Sequence, residues 1–356
     1  TDAKAQITLG DMLLEKKDET GALAAYRAAL KADSSAKGFY KKYAELVIKS
    51  GTDAEKVVAI NGAIKQGDAD ARMYKVLADI YSKQNLLDKA IAMYDKAAQL
   101  DTKNPQLLTS LADCQLRKGA VNDAILTLEQ AVAINPTADK EYKNLGELYL
   151  KQNKTEPALK YYKKYLEKNP SDDQVALIVG QQAFKAKSYQ DAVKFLGMVK
   201  GDDRKKPSFL SMYGEAAFEV SDFPRALIIY KDLALITPKD ASVFKRLYEI
   251  CTKTGASEDA MNYLRKYTAL KPADADAQKD LGDALYGKKE FTEALAAYRK
   301  ALKYDPKIKG FHKKYVELIL KFGKPLEKMP ALQGAINAGE ADAFIYSELG
   351  QIYSGT

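Results

Sequence analysis

The chain repeats itself every 34 residues, and this recurrence limits its possible folds more than any other feature. Stepping from Gly10 meets Ala44, Ala78, Ala112, Gly146, Gly180, Gly214, Tyr248, Gly282, Val316 and Gly350, of which all but Tyr248 and Val316 are Gly or Ala. Stepping from Ala22 meets Ala everywhere except Lys56 and Lys328. Stepping from Tyr26 meets only large side chains: Ile60, Tyr94, Leu128, Tyr162, Leu196, Tyr230, Leu264, Tyr298 and Leu332. A fourth column, starting at Ser34, contains Pro136, Pro170, Pro238, Pro272 and Pro306. The phase never slips, so no insertion interrupts the array.

Each column has a physical reading. A small residue at a fixed interval marks a close helix crossing, and the large column fills the space beside it. Proline stands where a helix must stop. Gly51, Asn85, Gly119, Asn153, Gly255 and Gly323 suit the left-handed turn that ends a helix. Apolar residues recur at three and four, as in Leu9 and Leu13 or Leu23, Tyr26 and Leu30, which is helical spacing. Each unit therefore reads as an antiparallel pair of helices, each ~12–14 residues long, and the fold as all-α. Pro330 falls inside the tenth unit's second helix and predicts a late start or a bend there.

Composition excludes several alternatives. Gly and Pro, 21 and 11 residues, are too few for a collagen-like or disordered chain. The longest apolar runs, such as Val175–Val179, fall short of the ~18 residues of a membrane span. The single histidine, His312, and two cysteines, Cys114 and Cys251, have no metal-ligand spacing and make no disulfide framework. No phosphate loop occurs, and the carboxylates follow the repeat rather than pairing. No enzyme activity and no cofactor are expected. The net charge of +8 is modest on a surface so heavily charged, and it favours acidic partners without indicating nucleic acid.

These columns resemble the tetratricopeptide repeat, whose period is also 34. The resemblance covers residues 1–356 as one continuous array, with full repeats starting at 3, 37, 71, 105, 139, 173, 207, 241, 275 and 309 and a lone helix from 343. It implies a right-handed α-solenoid superhelix, and with it a non-catalytic scaffold that binds a peptide or protein segment in a concave groove. In that family the groove is lined by positions 2, 5, 9, 12 and 13 of each first helix. Position nine is acidic in every full repeat but the sixth, which has Gln181. Lysine precedes the acid by four in six repeats: Lys41–Glu45, Lys75–Asp79, Lys143–Glu147, Lys245–Glu249, Lys279–Asp283 and Lys313–Glu317. Five repeats carry base–acid–base triplets, for example Lys41-Glu45-Lys49. Such triplets either steady the helix, at ~0.2–0.5 kcal/mol per pair, or form charge stripes that dock a charged peptide. An acid at position nine repels a terminal carboxylate, so the carboxylate clamp of chaperone-binding repeats is not expected. Position six shows a single Asn, Asn144, so there is no asparagine ladder. The stripe lapses at repeats six and seven, where Leu177, Ile178, Gln181, Phe184, Met212 and Phe218 stand. These either pack neighbouring first helices together or form an apolar pocket for a partner.

A longer period overlies the first. Residues 273–356 match residues 1–84 at 46 of 84 positions, even placing Lys328 opposite Lys56. The single histidine stands opposite Tyr40, which argues against a catalytic role. The duplication suggests a window on a longer protein with its native N-terminus missing. The main alternative to a scaffold is the arm of a larger enzyme or secretion machine whose active domain lies elsewhere. RNA binding is a third option, weakened by acids interleaved among the bases. The ends, Ala3–Leu14 and Ala343–Tyr353, lack polar capping helices and invite end-to-end self-association. Two unpaired cysteines lean towards a reducing compartment such as the cytoplasm.

Overall fold

The computed structural model describes residues 2–355; Thr1 and Thr356, the outermost residues of the array read from the sequence, lie outside the described residues. The described chain is helical, without a strand, and forms two compact units, one ending at Pro170 and one beginning at Ser171. The first holds α1 (Ala3–Glu15), α2 (Glu19–Ala32), α3 (Tyr40–Ser50), α4 (Asp53–Gln66), α5 (Ala71–Lys83), α6 (Leu87–Leu100), α7 (Pro105–Lys118), α8 (Val121–Ile134), α9 (Asp139–Lys151) and α10 (Thr155–Lys168). The second holds α11 (Asp173–Lys185), α12 (Tyr189–Leu196), a 3-10 turn (Asp202–Lys205), α13 (Pro207–Glu219), α14 (Phe223–Ile236), α15 (Ala241–Lys253) and α16 (Ser257–Leu270). It continues through α17 (Ala275–Gly287), α18 (Phe291–Tyr304), α19 (His312–Phe322), α20 (Pro325–Ala338) and α21 (Ala343–Ser354). Within each unit, consecutive helices pack on one another.

The small and large columns meet face to face. A Cβ placed on Gly10, Gly146 or Gly282 would stand 2.5, 2.5 or 2.4 Å from the ring of Tyr26, Tyr162 or Tyr298. Those rings are fully buried, so the missing side chain is what lets the first helix lie on the second. Aspartates fix many helix starts: Asp2, Asp18, Asp70, Asp240, Asp274 and Asp342 each accept a backbone N–H of the first turn. In α3 and α19 the helix begins three residues later than in the other repeats, after Gly38 and Gly310 at positive φ and the buried Phe39 and Phe311.

Three expectations need correction. Asn85, Gly119, Asn153 and Gly255 do adopt the left-handed turn, but Gly51 and Gly323 are extended, with φ of −83° and −81°. Their need for glycine is steric: a Cβ would lie 2.7 Å from the Val47 side chain or 2.5 Å from the Ile319 carbonyl. Of the two outcomes expected of Pro330, the late start does not occur: helix α20 begins at Pro325, matching the start of α4 in the first copy. Proline removes only the amide that would donate to the Leu326 carbonyl, and Leu326 is 90% exposed, so the loss falls on the surface of the helix. Finally, α12 stops after eight residues rather than ~12–14. Gly197 follows it, Val199 turns inward and is buried, and the amides of Lys200 and Gly201 donate to Asp173 Oδ2 at 3.0 and 2.6 Å. Glycines weaken the helix here, and a carboxylate supplies the acceptor that the unwound amides need.

Candidate functional site

Three of the acids at position nine, Asp11, Glu215 and Asp283, are held from two sides, and Asp79 from one of them. Tyrosines of the second helices donate to them: Tyr26 to Asp11 (2.5 Å), Tyr94 to Asp79 (2.5 Å), Tyr230 to Glu215 (2.9 Å) and Tyr298 to Asp283 (2.9 Å). Bases at position six of the following repeat approach from the other side: Lys42 to Asp11 (2.9 Å), Arg246 to Glu215 (2.7 Å) and Lys314 to Asp283 (2.6 Å). Burial alone would raise the Asp283 pKa, but hydrogen bonds from Lys314, Lys279 and Tyr298 outweigh it and hold the carboxyl below its ordinary value. Asp11 is lowered by the same balance, with Tyr26 and Lys42 as donors. Burial and the adjacent carboxylate push the Tyr26 and Tyr298 hydroxyls well up. Sequence reasoning missed this network, although its signal is visible: the large column alternates tyrosine with an aliphatic residue, so the hydroxyl recurs every second repeat.

The regular base–acid ladder along each first helix forms only in part. Lys75 pairs with Asp79 at 2.7 Å, and Lys279 with Asp283 at 3.0 Å. Lys41 and Glu45 are both exposed, while Lys49 turns to Glu19 of the neighbouring repeat. Glu45 instead lines a 220 Å³ cleft with Lys42 and Arg72. Lys143 lies 5.4 Å above the Tyr165 ring and Lys245 5.8 Å above Tyr267. Glu249 accepts from Arg246 at 2.6 Å. Much of this charge links one helix to the next.

Repeats six to eight present two clefts on the first-helix face. The first, about 540 Å³, lies between α11 and α13 and brings together Leu177, Gln181, Phe184 and Met212 with Phe209 beneath them. Leu177, Phe184 and Met212 are only half-buried. The unwound end of α12 places Asp203 at the rim, where it pairs with Lys206. The second cleft, about 610 Å³, lies between α13 and α15 and is lined by Ser211, Glu215, Ser242, Lys245, Arg246 and Glu249. Ser208 lines both, so they adjoin across α13. Ile178 is half-buried and lines neither, and Phe218 is covered: the Arg246 guanidinium lies 4.2 Å over its ring and Phe223 meets it edge-on at 5.8 Å.

Among the described residues no three His, Cys, Asp or Glu side chains cluster to hold a metal. Both cysteines are buried. His312 is buried, with Nδ1 3.1 Å from Glu340, whose carboxylate also accepts the His312 and Gly310 amides. No described helix is long and apolar enough to cross a membrane.

Paired helices at a fixed period, with clefts on the first-helix face, define a helical-repeat protein of the protein-interaction type. Comparison supplies the family. Tetratricopeptide-repeat profiles match residues 2–37, 81–145 and 275–308, and a profile for subunit 3 of the anaphase-promoting complex, or cyclosome, matches residues 118–199. The chain belongs to the tetratricopeptide-repeat family. It is similar to the Hsp70-Hsp90 organizing protein 1 of Glycine max and to the Hsp70-Hsp90 organizing protein of Triticum aestivum. Each is 29% identical over 93 residues, which is 26% of this chain and only 16% of the relative. Among solved structures it is similar to the C-terminal part of a tetratricopeptide-repeat protein from Cytophaga hutchinsonii, at 15% identity and TM-score 0.37, covering 68% of this chain and 98% of that one. It is also similar to MamA, at 25% identity and TM-score 0.36, covering 45% of this chain and 94% of that one.

Proposed function

We propose that the chain is a non-catalytic scaffold that binds a peptide segment of a protein partner across α13. An apolar side chain of the peptide enters the cleft of Leu177, Phe184 and Met212, and a polar or charged group meets Lys245, Arg246 and Glu249 beyond Ser208. One observation carries this reading. Leu177 stands where six repeats have lysine, yet it remains half-exposed above a cleft instead of closing into the core. Half-exposed apolar groups gathered in one hollow are the usual anchor of an interface. The first-helix bases are interleaved with acids, which favours a peptide over RNA.

Photocrosslinking tests this directly. Benzoylphenylalanine at Ser208, on the rim shared by both clefts, is expected to capture a discrete protein in cells. The same probe at Gln130, exposed on the second-helix side of α8, is expected to capture none of it. Identical capture from both positions would refute the reading.

A further inference from the structure

The opposite, second-helix face of the second unit carries an apolar trough unrelated to those clefts. It lies between α14 and α16, with Phe244 and Leu247 of α15 as its floor and Leu235, Pro238, Tyr263 and Leu270 as its walls, and holds about 690 Å³. Leu235 is 82% exposed. The matching residue is Lys31, Lys65, Gln99, Glu167, Lys303 or Asn337 in six other repeats, and Ala or Gly in the remaining three. Helix packing therefore places no demand for leucine there. Two turns earlier on the same helix, Ile228 is 63% exposed.

The trough has a charge as well as a shape. Lys231 lines the α14 side and Lys266 the α16 side. Lys266 lies 5.5 Å over the Phe244 ring and 5.9 Å over Tyr263, so its ammonium is held above the floor. Among the described residues neither lysine makes an ion pair, although Asp232 and Asp259 are on the same two helices. An apolar channel between two helices, flanked by two lysines that make no ion pair, suits one occupant: an amphipathic helix with leucine-like residues on one face and carboxylates beside them. We propose that this trough docks an acidic amphipathic helix of a partner protein.

The probe is a fluorescein-labelled helical peptide of about four turns, with Leu at every third or fourth position and Glu between. A second peptide has Lys in place of Glu. By fluorescence anisotropy the Glu peptide should bind the whole chain, and the Lys peptide should bind at least about tenfold more weakly. Leu235→Glu should weaken the Glu peptide by about tenfold or more, and Lys231→Glu/Lys266→Glu should reverse the preference between peptides. These are surface changes, and unchanged circular dichroism confirms the fold. Leu177→Ser/Phe184→Ala, on the other face, should leave peptide binding intact, which separates this proposal from the previous one. The proposal is overturned by equal binding of the two peptides, by no binding of the Glu peptide below about 1 mM, or by equal binding to wild type and Leu235→Glu. Loss of the peptide in the Leu177 and Phe184 variant overturns it too. So does sedimentation showing a wild-type dimer that Leu235→Glu dissolves, because the trough would then belong to a second copy.

Discussion

Asp11 and Asp283 stand eight repeats apart and share two partners, although Asp283 alone also pairs with a lysine of its own helix, Lys279. Each accepts from the tyrosine of its own repeat and from the lysine at position six of the next. The likeness extends outwards: Arg27 pairs with Glu55 at 2.8 Å as Arg299 does with Glu327 at 2.7 Å. Repeat six is built otherwise. It has Gln181 in place of the acid, Leu196 in place of the tyrosine, and a second helix cut to eight residues. The contrast shows how one surface serves two purposes. Where the tyrosine–acid–base link is present, the first-helix charges hold neighbouring helices together. In repeat six, where the acid is missing as well as the tyrosine, half-buried apolar side chains are left over a cleft.

The largest difference should appear in stability. Tyr298→Ala removes a fully buried ring and is expected to cost ~3–5 kcal/mol, read from the urea midpoint. Leu177→Ser/Phe184→Ala removes half-exposed groups and should cost no more than ~2 kcal/mol. Equal losses would make repeat six ordinary core.

Next comes the link itself. Asp283→Asn leaves Lys314 and Lys279 without their shared carboxylate and should cost ~1–2 kcal/mol. Asp113→Asn, whose 3.9 Å pair with Arg117 is exposed, should cost ~0–0.5 kcal/mol in the same assay.

A pH series sharpens the point. Asp11 and Asp283 have folded pKa values below their ordinary 3.8. Their contribution is therefore complete above that value and lost as pH falls through the lower folded one. The urea midpoint should drop steeply below about pH 4, and Asp283→Asn should flatten that limb. An unchanged acid limb would deny the carboxylate its role.

A small effect is also expected where the copies differ by one ring. Tyr40 packs so tightly that a Cβ on Gly62 would come within 2.0 Å of it, whereas His312 leaves 3.8 Å beside Gly334. His312→Tyr refills that space at the loss of the Glu340 contact, so its urea midpoint should move by less than ~1 kcal/mol equivalent.

The sequence made the helix pairs legible because close crossing and ring filling demand opposite residue sizes, as at Gly282 and Tyr298. It hid the tyrosine link because grouping Tyr26 with Ile60 as merely large discards the hydroxyl. It hid the short α12 because the 34-residue phase continues through Gly197 and Gly201 whether or not the backbone is coiled. Leu177, Gln181, Phe184 and Met212 were legible as a break in the charge pattern. Their shared cleft depends on Phe209 and the 3-10 turn, which periodicity does not encode.

Affinity capture with wild type, Leu177→Ser/Phe184→Ala and Asp113→Asn side by side bears most directly on the division between holding and binding. The account predicts that the repeat-six variant loses a defined protein while keeping wild-type helix content, and that Asp113→Asn keeps it. Retention of that protein by all three, or its loss together with helix content in the repeat-six variant, would contradict it.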